Sequence, residues 1–357
     1  MNLKLTLKRT LIFILCVWLA ASCNPPEPQT PDTPPVDYQA EGVYVLNEGL
    51  YQHNNSTLTY YDFTVNNLMK DIFLQNNGRG LGDTGNDLQM YGGKLYCVVN
   101  NSNRMDVMNP SDAKSIKVIQ LNGKQPRRLA FYRDKAYISC FDGDVVRIDT
   151  ATLTADATAH SGSNPEGICV CNGKLYVANS GGLNSPDYGK TVSVFDLSTF
   201  TLLRTIAVAT NPYILQSYND QYVYVASRGN YGSIPYNLQK IDAATDEVVR
   251  TYDWEVLNFA ISGKYAYLYY SDYNSYNCWI KVMDLENDCI VNDNFVTDGT
   301  TLKRPYGIAV NRLNGDVYIS DAYDFTVNGD VYCFDKNGKK KFSFAVGLNP
   351  GTILIKN

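Results

Sequence analysis

The fold class this sequence predicts is all-β: a seven-bladed β-propeller with four-stranded blades, the ring closed by the C-terminal strand joining the N-terminal blade. Three observations predict it. A short strand-and-turn element recurs seven times, at spacings of 40 to 51 residues. Each copy sits inside a four-strand unit joined by tight turns containing Gly or Asp. The two ends of the folded part carry complementary fractions of one such unit.

The third strand of the unit is the best ruler. It reads LTYYD ending at Asp62, MDVMN at Asn109, VVRID at Asp149, VSVFD at Asp196, LQKID at Asp242, IKVMD at Asp284 and VYCFD at Asp335. Asp or Asn there suits the start of a turn, because its side-chain oxygen accepts hydrogen bonds from backbone amides just ahead. The second strand recurs as VYVLN, KLYCVV, KAYISC, KLYVAN, YVYVAS, YAYLYY and DVYIS. Four-strand units of about 45 residues are the mark of propeller blades, whereas solenoid units are usually shorter and often helical. No stretch shows a helical period. The folded part opens on a second-type strand, Gly42 to Asn47. It ends on a first-type strand, Asn349 to Ile355, similar to Asn164 to Val170. Pairing these ends removes the open strand edges that would template aggregation.

Residues 1–22 read as a processing signal. Lys4, Lys8 and Arg9 precede a short apolar run, Leu11 to Leu19, too brief to span a bilayer. Ala20, Ala21 and Ser22 then lead to Cys23, as in a bacterial lipobox whose Cys is lipidated and becomes the new N-terminus. Ordinary secretion is the plainer alternative. Residues 23–37 form a tether in which Pro density favours an extended polyproline-II spacer. The propeller then occupies 38–357, with no second linker.

Net charge is −5 for the whole chain, and loss of the basic signal leaves it more acidic still. That balance argues against nucleic-acid or polyanion binding, which needs basic patches. The nine Cys follow no Cys-x-x-Cys spacing. Cys97, Cys140 and Cys333 sit within strand patterns as small buried hydrophobes, and Cys169 and Cys171 share one strand face, the wrong geometry for a mutual bridge. Cys278 and Cys289 remain open as a pair. No disulfide framework is expected.

In an up-and-down blade, the loops joining strands two and three share a face with the links between blades. The opposite face carries plain turns such as GGK, RDK, NGK, NDQ and SGK. The loop face is different, with long segments at Asn47–Thr57, Asn179–Thr191, Ser227–Asn237, Ser271–Trp279 and Asp321–Asp330. They hold Tyr51, Asn54, Tyr188, Arg228, Tyr231, Tyr236, Tyr273, Asn274, Tyr276, Trp279, Tyr323 and Phe325; the inter-blade links add Arg79, Arg127, Arg128, Arg304 and Tyr306. Loops rich in Tyr and Asn on a rigid scaffold are a common way to build a binding face, since Tyr offers a flat apolar surface and a hydroxyl at low entropic cost. Together with Asn47 and Asn179 these residues form the candidate site. The plainer alternative is that individual rings pack loops onto the barrel end.

Catalysis finds little support. The two His, His53 and His160, lie on that face but in separate blades, and no G-x-S-x-G elbow or His-Glu-x-x-His motif occurs. Asp272-Tyr273-Asn274 and Asp321–Asp330 offer oxygen ligands without the spacing of an EF-hand loop. The expectation is a binding protein that is no enzyme, with no catalytic cofactor and no resident metal.

The opening Val43-Tyr44-Val45-Leu46-Asn47-Glu48-Gly49, followed by Ser56-Thr57-Leu58-Thr59-Tyr60-Tyr61-Asp62, resembles the first blade of YncE-like seven-bladed propellers. Among these the mature chain is most similar to BtuG-like surface lipoproteins of Gram-negative gut anaerobes. That resemblance implies capture of cobalamin or a related corrinoid, and its transfer to a TonB-dependent transporter. It also implies an outer-membrane, lipid-anchored address at the cell surface. It supplies no ligand motif, so the candidate residues rest on loop position and chemistry. A corrin edged with amides suits neutral donors and acceptors such as Asn47, Asn54, Asn179 and Asn274, plus aromatic faces. A surface glycan-binding or protein-interaction propeller is the main alternative; a propeller lyase or hydrolase would need a His or carboxylate cluster at the central opening.

Overall fold

The computed structural model describes residues 40–357. The proposed signal (1–22), the lipidation site Cys23 and the tether (23–37) lie outside the described residues. The chain lays down β1 (Gly42–Asn47), β2 (Thr57–Asp62) and β3 (Asn67–Met69), then one short helix, α1 (Ile72–Asn77). Six four-strand meanders follow. They run from β4 (Gly85–Tyr91) to β7 (Ser115–Gln120), β8 (Pro126–Tyr132) to β11 (Thr154–His160), and β12 (Pro165–Cys171) to β15 (Thr201–Ala207). The rest run from β16 (Pro212–Tyr218) to β19 (Glu247–Tyr252), β20 (Asn258–Ser262) to β23 (Cys289–Asn292), and β24 (Pro305–Val310) to β27 (Lys340–Leu348). The last strand is β28 (Pro350–Lys356).

These form seven antiparallel sheets of four strands, one per blade. Blade one has the order β28-β1-β2-β3, with Gly42 opposite Lys356 and Val45 opposite Ile353. The C-terminal strand thus supplies the innermost position of the N-terminal blade, as the complementary ends predict. The chain enters this blade beside the β2–β3 turn: Phe63 N–H donates to Glu41 O at 2.9 Å, and Lys356 pairs with Glu41 at 3.0 Å.

All seven third-strand exits work as the Asp ruler predicts. The Oδ1 of Asp62, Asn109, Asp149, Asp196, Asp242, Asp284 and Asp335 each accepts from the amide two residues on, at 2.7 to 3.0 Å. The second strands share a different constant, a tyrosine whose ring is buried between blades: Tyr44, Tyr96, Tyr137, Tyr176, Tyr224, Tyr267 and Tyr318. Burial raises the pKa of each of these phenols. Around the rings, Val, Ile and Leu of adjacent blades form continuous clusters, such as Tyr96, Val98, Leu129 and Ile138. Each such side chain taken out of water contributes about 1.5–3 kcal/mol.

Helix α1 is a departure from the sequence expectation. Its six residues are too few to show a 3.6-residue period. It is fixed instead by its ends: the Asp71 carboxylate accepts from Leu74 N–H at 3.1 Å, and Gly78 closes it at φ 65°. All seven described cysteines are free thiols, Cys278 and Cys289 included.

Candidate ligand-binding site

The strand-two-to-three loops and the inter-blade links share one face. Gly181 N–H donates to Ser163 O, Gly229 N–H to Thr210 O, and Ala322 N–H to Arg304 O, each joining a loop to its own blade's incoming link. Beneath them, six of the seven innermost strands begin with a β-bulge that takes in Asn86, Arg127, Glu166, Tyr213, Tyr306 or Gly351. A bulge re-aims a side chain that a regular pleat would send elsewhere. Here it brings these residues to the mouth of the central channel.

Polar contacts organise the mouth. Arg127 makes a two-pronged pair with Glu166, both contacts at 2.8 Å, and reaches Asn86 Oδ1 at 3.2 Å. Arg128 donates to Asn86 O at 2.7 Å. Across the opening, Tyr306 Oη donates to Glu48 Oε2 at 2.8 Å. Glu48 has room because blade one carries Gly351 there; a Cβ on Gly351 would stand 2.3 Å from Glu48 Oε1. Burial pushes the Glu48 carboxyl above its ordinary range, against the opposing pull of the Tyr306 hydrogen bond and the nearby arginines. A space of about 30 Å³ remains between Glu48, Arg128, Tyr213, Arg228 and Tyr306. It sits over a channel cavity of about 250 Å³ lined by Asp87, Gln89, Gln216 and Asn258.

Around the mouth, the long loops build an aromatic rim on one side of the ring. Tyr188, Tyr231, Tyr236, Tyr270 and Trp279 form a chain of ring contacts across three blades, with centroids 5.4 to 6.3 Å apart. Tyr231, Pro235, Tyr236, Tyr270 and Tyr273, with Glu255, Asp272 and Asn274, wall a depression of about 630 Å³. A neighbouring one of about 660 Å³ lies between Tyr276, Lys303, Tyr323, Asp324 and Val327. Burial pushes the Tyr236 phenol up to about 12. Tyr273 lies parallel to Phe325, whose edge meets Tyr306 at 5.5 Å. Rim and mouth are therefore continuous.

A family model described as Domain of unknown function (DUF5074) matches residues 41–349, nearly the whole ring. The chain belongs to that family. No curated protein matches it. Many solved structures share its fold, and three show how varied they are. The Kuenenia stuttgartiensis hydrazine synthase is 15% identical with a TM-score of 0.62, over 74% of this chain and 87% of that one. A quinonprotein alcohol dehydrogenase-like protein from Bacteroides thetaiotaomicron is 16% identical with a TM-score of 0.65, over 89% and 79%. The computationally designed Ika8 protein is 13% identical with a TM-score of 0.59, over 88% and 91%. An enzyme and a designed protein on one fold show that the fold by itself names no activity.

The DUF5074 ring divides the sequence-predicted residues into two groups. Tyr188, Tyr231, Tyr236, Tyr273, Tyr276, Tyr306 and Phe325 come together at the rim and mouth, with Arg228 beneath them. Tyr51 and Asn54 are exposed in the blade-one loop. Others have structural tasks instead. Asn47 and Asn179 end their second strands fully buried and bind one blade to the next. Asn179 Nδ2 donates to Ser193 Oγ at 2.9 Å while its Oδ1 accepts from Ser161 Oγ at 2.8 Å; Asn47 Oδ1 accepts from Gly347 N–H at 3.0 Å. Neither amide has a group left for a ligand.

Arg304 is only 4% exposed and staples two loops, donating to Tyr273 O and Tyr323 O beneath the Tyr273, Tyr276 and Phe325 rings. Arg79 is tied to Asp106 at 2.5 Å and lies over Phe73. Trp279 packs on the core between blades five and six, and the Tyr323 hydroxyl is held by Asp330. His53 and His160 bond to different partners, Tyr51 O and Asp144 Oδ1, and share no cluster. Asp272 Oδ1 accepts from the Asn274 and Ser275 amides of its own loop, and the Asp321 oxygens accept from the Lys303 and Arg304 amides of the incoming link. Glu48, Glu166, Tyr213 and Tyr270 are additions. For Glu166 and Tyr213 the sequence signal is the recurring Pro at strand starts, as in Asn164-Pro165-Glu166 and Asn211-Pro212-Tyr213, whereas Glu48 and Tyr270 follow no such Pro.

Proposed function

We propose that this protein captures cobalamin or a related corrinoid on the loop face, without catalysis, and passes it to a TonB-dependent outer-membrane transporter. The observation that carries the reading is the 630 Å³ depression, whose walls are tyrosines interspersed with Asp, Glu and Asn side chains. Such a surface offers flat apolar contact beside carboxylate acceptors and the Asn274 amide, groups that can hydrogen-bond the amide edge of a macrocycle. Exposure of Tyr231 at 58% and Tyr273 at 69% leaves ring area free for contact. Support for a non-enzymatic role comes from the polar groups, which pair with one another for structure. A lipid on Cys23 would hold the protein at the outer membrane, and shared tethering would raise the effective concentration at the transporter.

Calorimetric titration with cyanocobalamin tests this reading. The expected result is one-to-one binding that Tyr236→Ala and Tyr273→Ala each weaken by roughly 30-fold, the scale of an aromatic hot spot. Absence of heat and of any melting shift would remove corrinoids; binding to a glycan panel in their place would make this a surface glycan-binding protein.

A further inference from the structure

Below the aromatic rim lies an arginine side chain that is hydrogen-bonded to neither a carboxylate nor a carbonyl oxygen among the described residues. Arg228 follows the second strand of blade five and lies flat on Tyr213, its guanidinium carbon 3.2 Å from the ring centroid. Its Nε is buried with no hydrogen-bond partner, and it forms no salt bridge among the described residues. Its neighbours differ. Arg127 has Glu166, Arg128 has the Asn86 carbonyl, and Arg304 has two loop carbonyls. A guanidinium whose Nε is shielded from water and unpaired is unfavourable, and stacking on a ring offsets only part of that cost.

The surroundings suit an incoming anion. Arg128 lines the same space and approaches the Tyr213 ring at 5.9 Å. Stacking fixes the plane of the Arg228 fork, the geometry that recognises carboxylate and phosphate oxygens. Glu48, across the mouth, is bound by Tyr306, and burial favours its neutral form, so it opposes a ligand anion less than an exposed carboxylate would. The 30 Å³ space admits one small group and not the body of a ligand.

We infer that Arg228, with Arg128 beside it, forms an anion subsite at the channel mouth, which takes one phosphate-ester or carboxylate group of a ligand whose body rests on the aromatic rim. Naming that group as the phosphodiester of a cobalamin nucleotide loop rests on the capture reading above. The anion subsite itself does not.

The test compares cyanocobalamin with cobinamide, which lacks the phosphodiester, on the full-length protein and its Arg228→Gln variant. Arg228→Gln should weaken cyanocobalamin roughly tenfold or more and cobinamide less than about twofold. Equal losses for both, or none for either, overturn the inference. Arg228→Lys keeps the charge and gives up the planar stack, so it should show a smaller loss with the same dependence on phosphate; it carries the comparison if Arg228→Gln does not fold. If neither corrinoid binds the unaltered protein, the capture reading fails while the subsite is still decided. Inorganic phosphate or acetate, at constant ionic strength, should raise the melting midpoint of the unaltered protein and not that of the Arg228 variant. Whichever of the two anions acts identifies the group, and identical shifts in both proteins reject the subsite.

Discussion

The turn face and the loop face of this ring are made by the same seven repeats and obey opposite rules. On the turn face, seven third-strand exits use one device, an Asp or Asn oxygen accepting the amide two residues on. On the loop face the blades diverge. The inner-strand bulges carry Asn86, Arg127, Glu166, Tyr213, Tyr306 and Gly351 in turn, and the sixth blade has no bulge at all. Closing a tight turn constrains the chemistry at every copy. The loops are held by backbone hydrogen bonds to the links, so their side chains are free to differ. Repetition therefore marks what holds the ring, and departure from it marks where the proposed ligand would be met.

The sharpest way to break this contrast is to remove one tyrosine from each class. Tyr176→Ala, at a buried repeat position, should cost about 3–5 kcal/mol, whereas Tyr273→Ala, 69% exposed, should stay within about 0.5 kcal/mol. Urea midpoints of the two variants decide it, and similar losses would mean that exposed rings also hold the ring together. Asn179→Ala comes next. It strips partners from the buried Ser161 and Ser193 hydroxyls, for an expected loss of about 1–3 kcal/mol with ligand affinity unchanged. Lost affinity at full stability would return Asn179 to the ligand site.

A smaller effect is expected at a single turn, where Asp196→Ala should lower the melting midpoint slightly at neutral pH. The hydrogen bond from the Ser198 hydroxyl, with the Ser198 and Thr199 amides, holds the Asp196 carboxyl below its ordinary value of 3.8. A depressed carboxyl pKa gives stability that is present above 3.8 and lost as pH falls through the folded-state value. The gap between the two proteins' melting midpoints should accordingly close below pH 3.8, and a gap that persists would trace the effect to something other than the carboxylate. Glu48 should show the reverse slope, and the smallest change. Burial raises its pKa above 4.5, so its contribution is fullest below that pH and is lost as pH rises through the folded-state value. Relative to the unaltered protein, Glu48→Gln should therefore gain stability between pH 4 and 8; a parallel pair of pH curves would show that Glu48 ionises freely.

The contrast also explains what the sequence could tell. The blade count, the strand order and the closure were legible because Asp62, Asp149, Asp196 and their counterparts repeat a local solution to a local problem. The site was legible only in outline. Part of the abundance of tyrosine, 28 in all, belongs to the seven buried rings and says nothing of a ligand. Asn47 and Asn179 look like ligand contacts until the neighbouring blade is present to engage them. Arg304 has its partners in Tyr273 and Tyr323, in two different loops, and such pairings have no spacing to read. The bulges depend on strand register, which Pro126, Pro165, Pro212, Pro305 and Pro350 signal at five strand starts without saying where each successor will point; β4, which opens on Gly85, carries its bulge with no Pro.

The entry of the chain beside the β2–β3 turn fixes which side of the ring is its back. Glu41 is fastened there by Phe63 and Lys356, so a lipid upstream would moor the protein by the turn face. If the protein is a membrane-anchored carrier, as proposed above, the loop face with its aromatic rim would then look away from that membrane. Handing a captured molecule to a transporter in the same membrane would require the ring to turn over on its tether. On that reading, shortening the proline-rich stretch of residues 24–35 should leave binding intact and slow transfer.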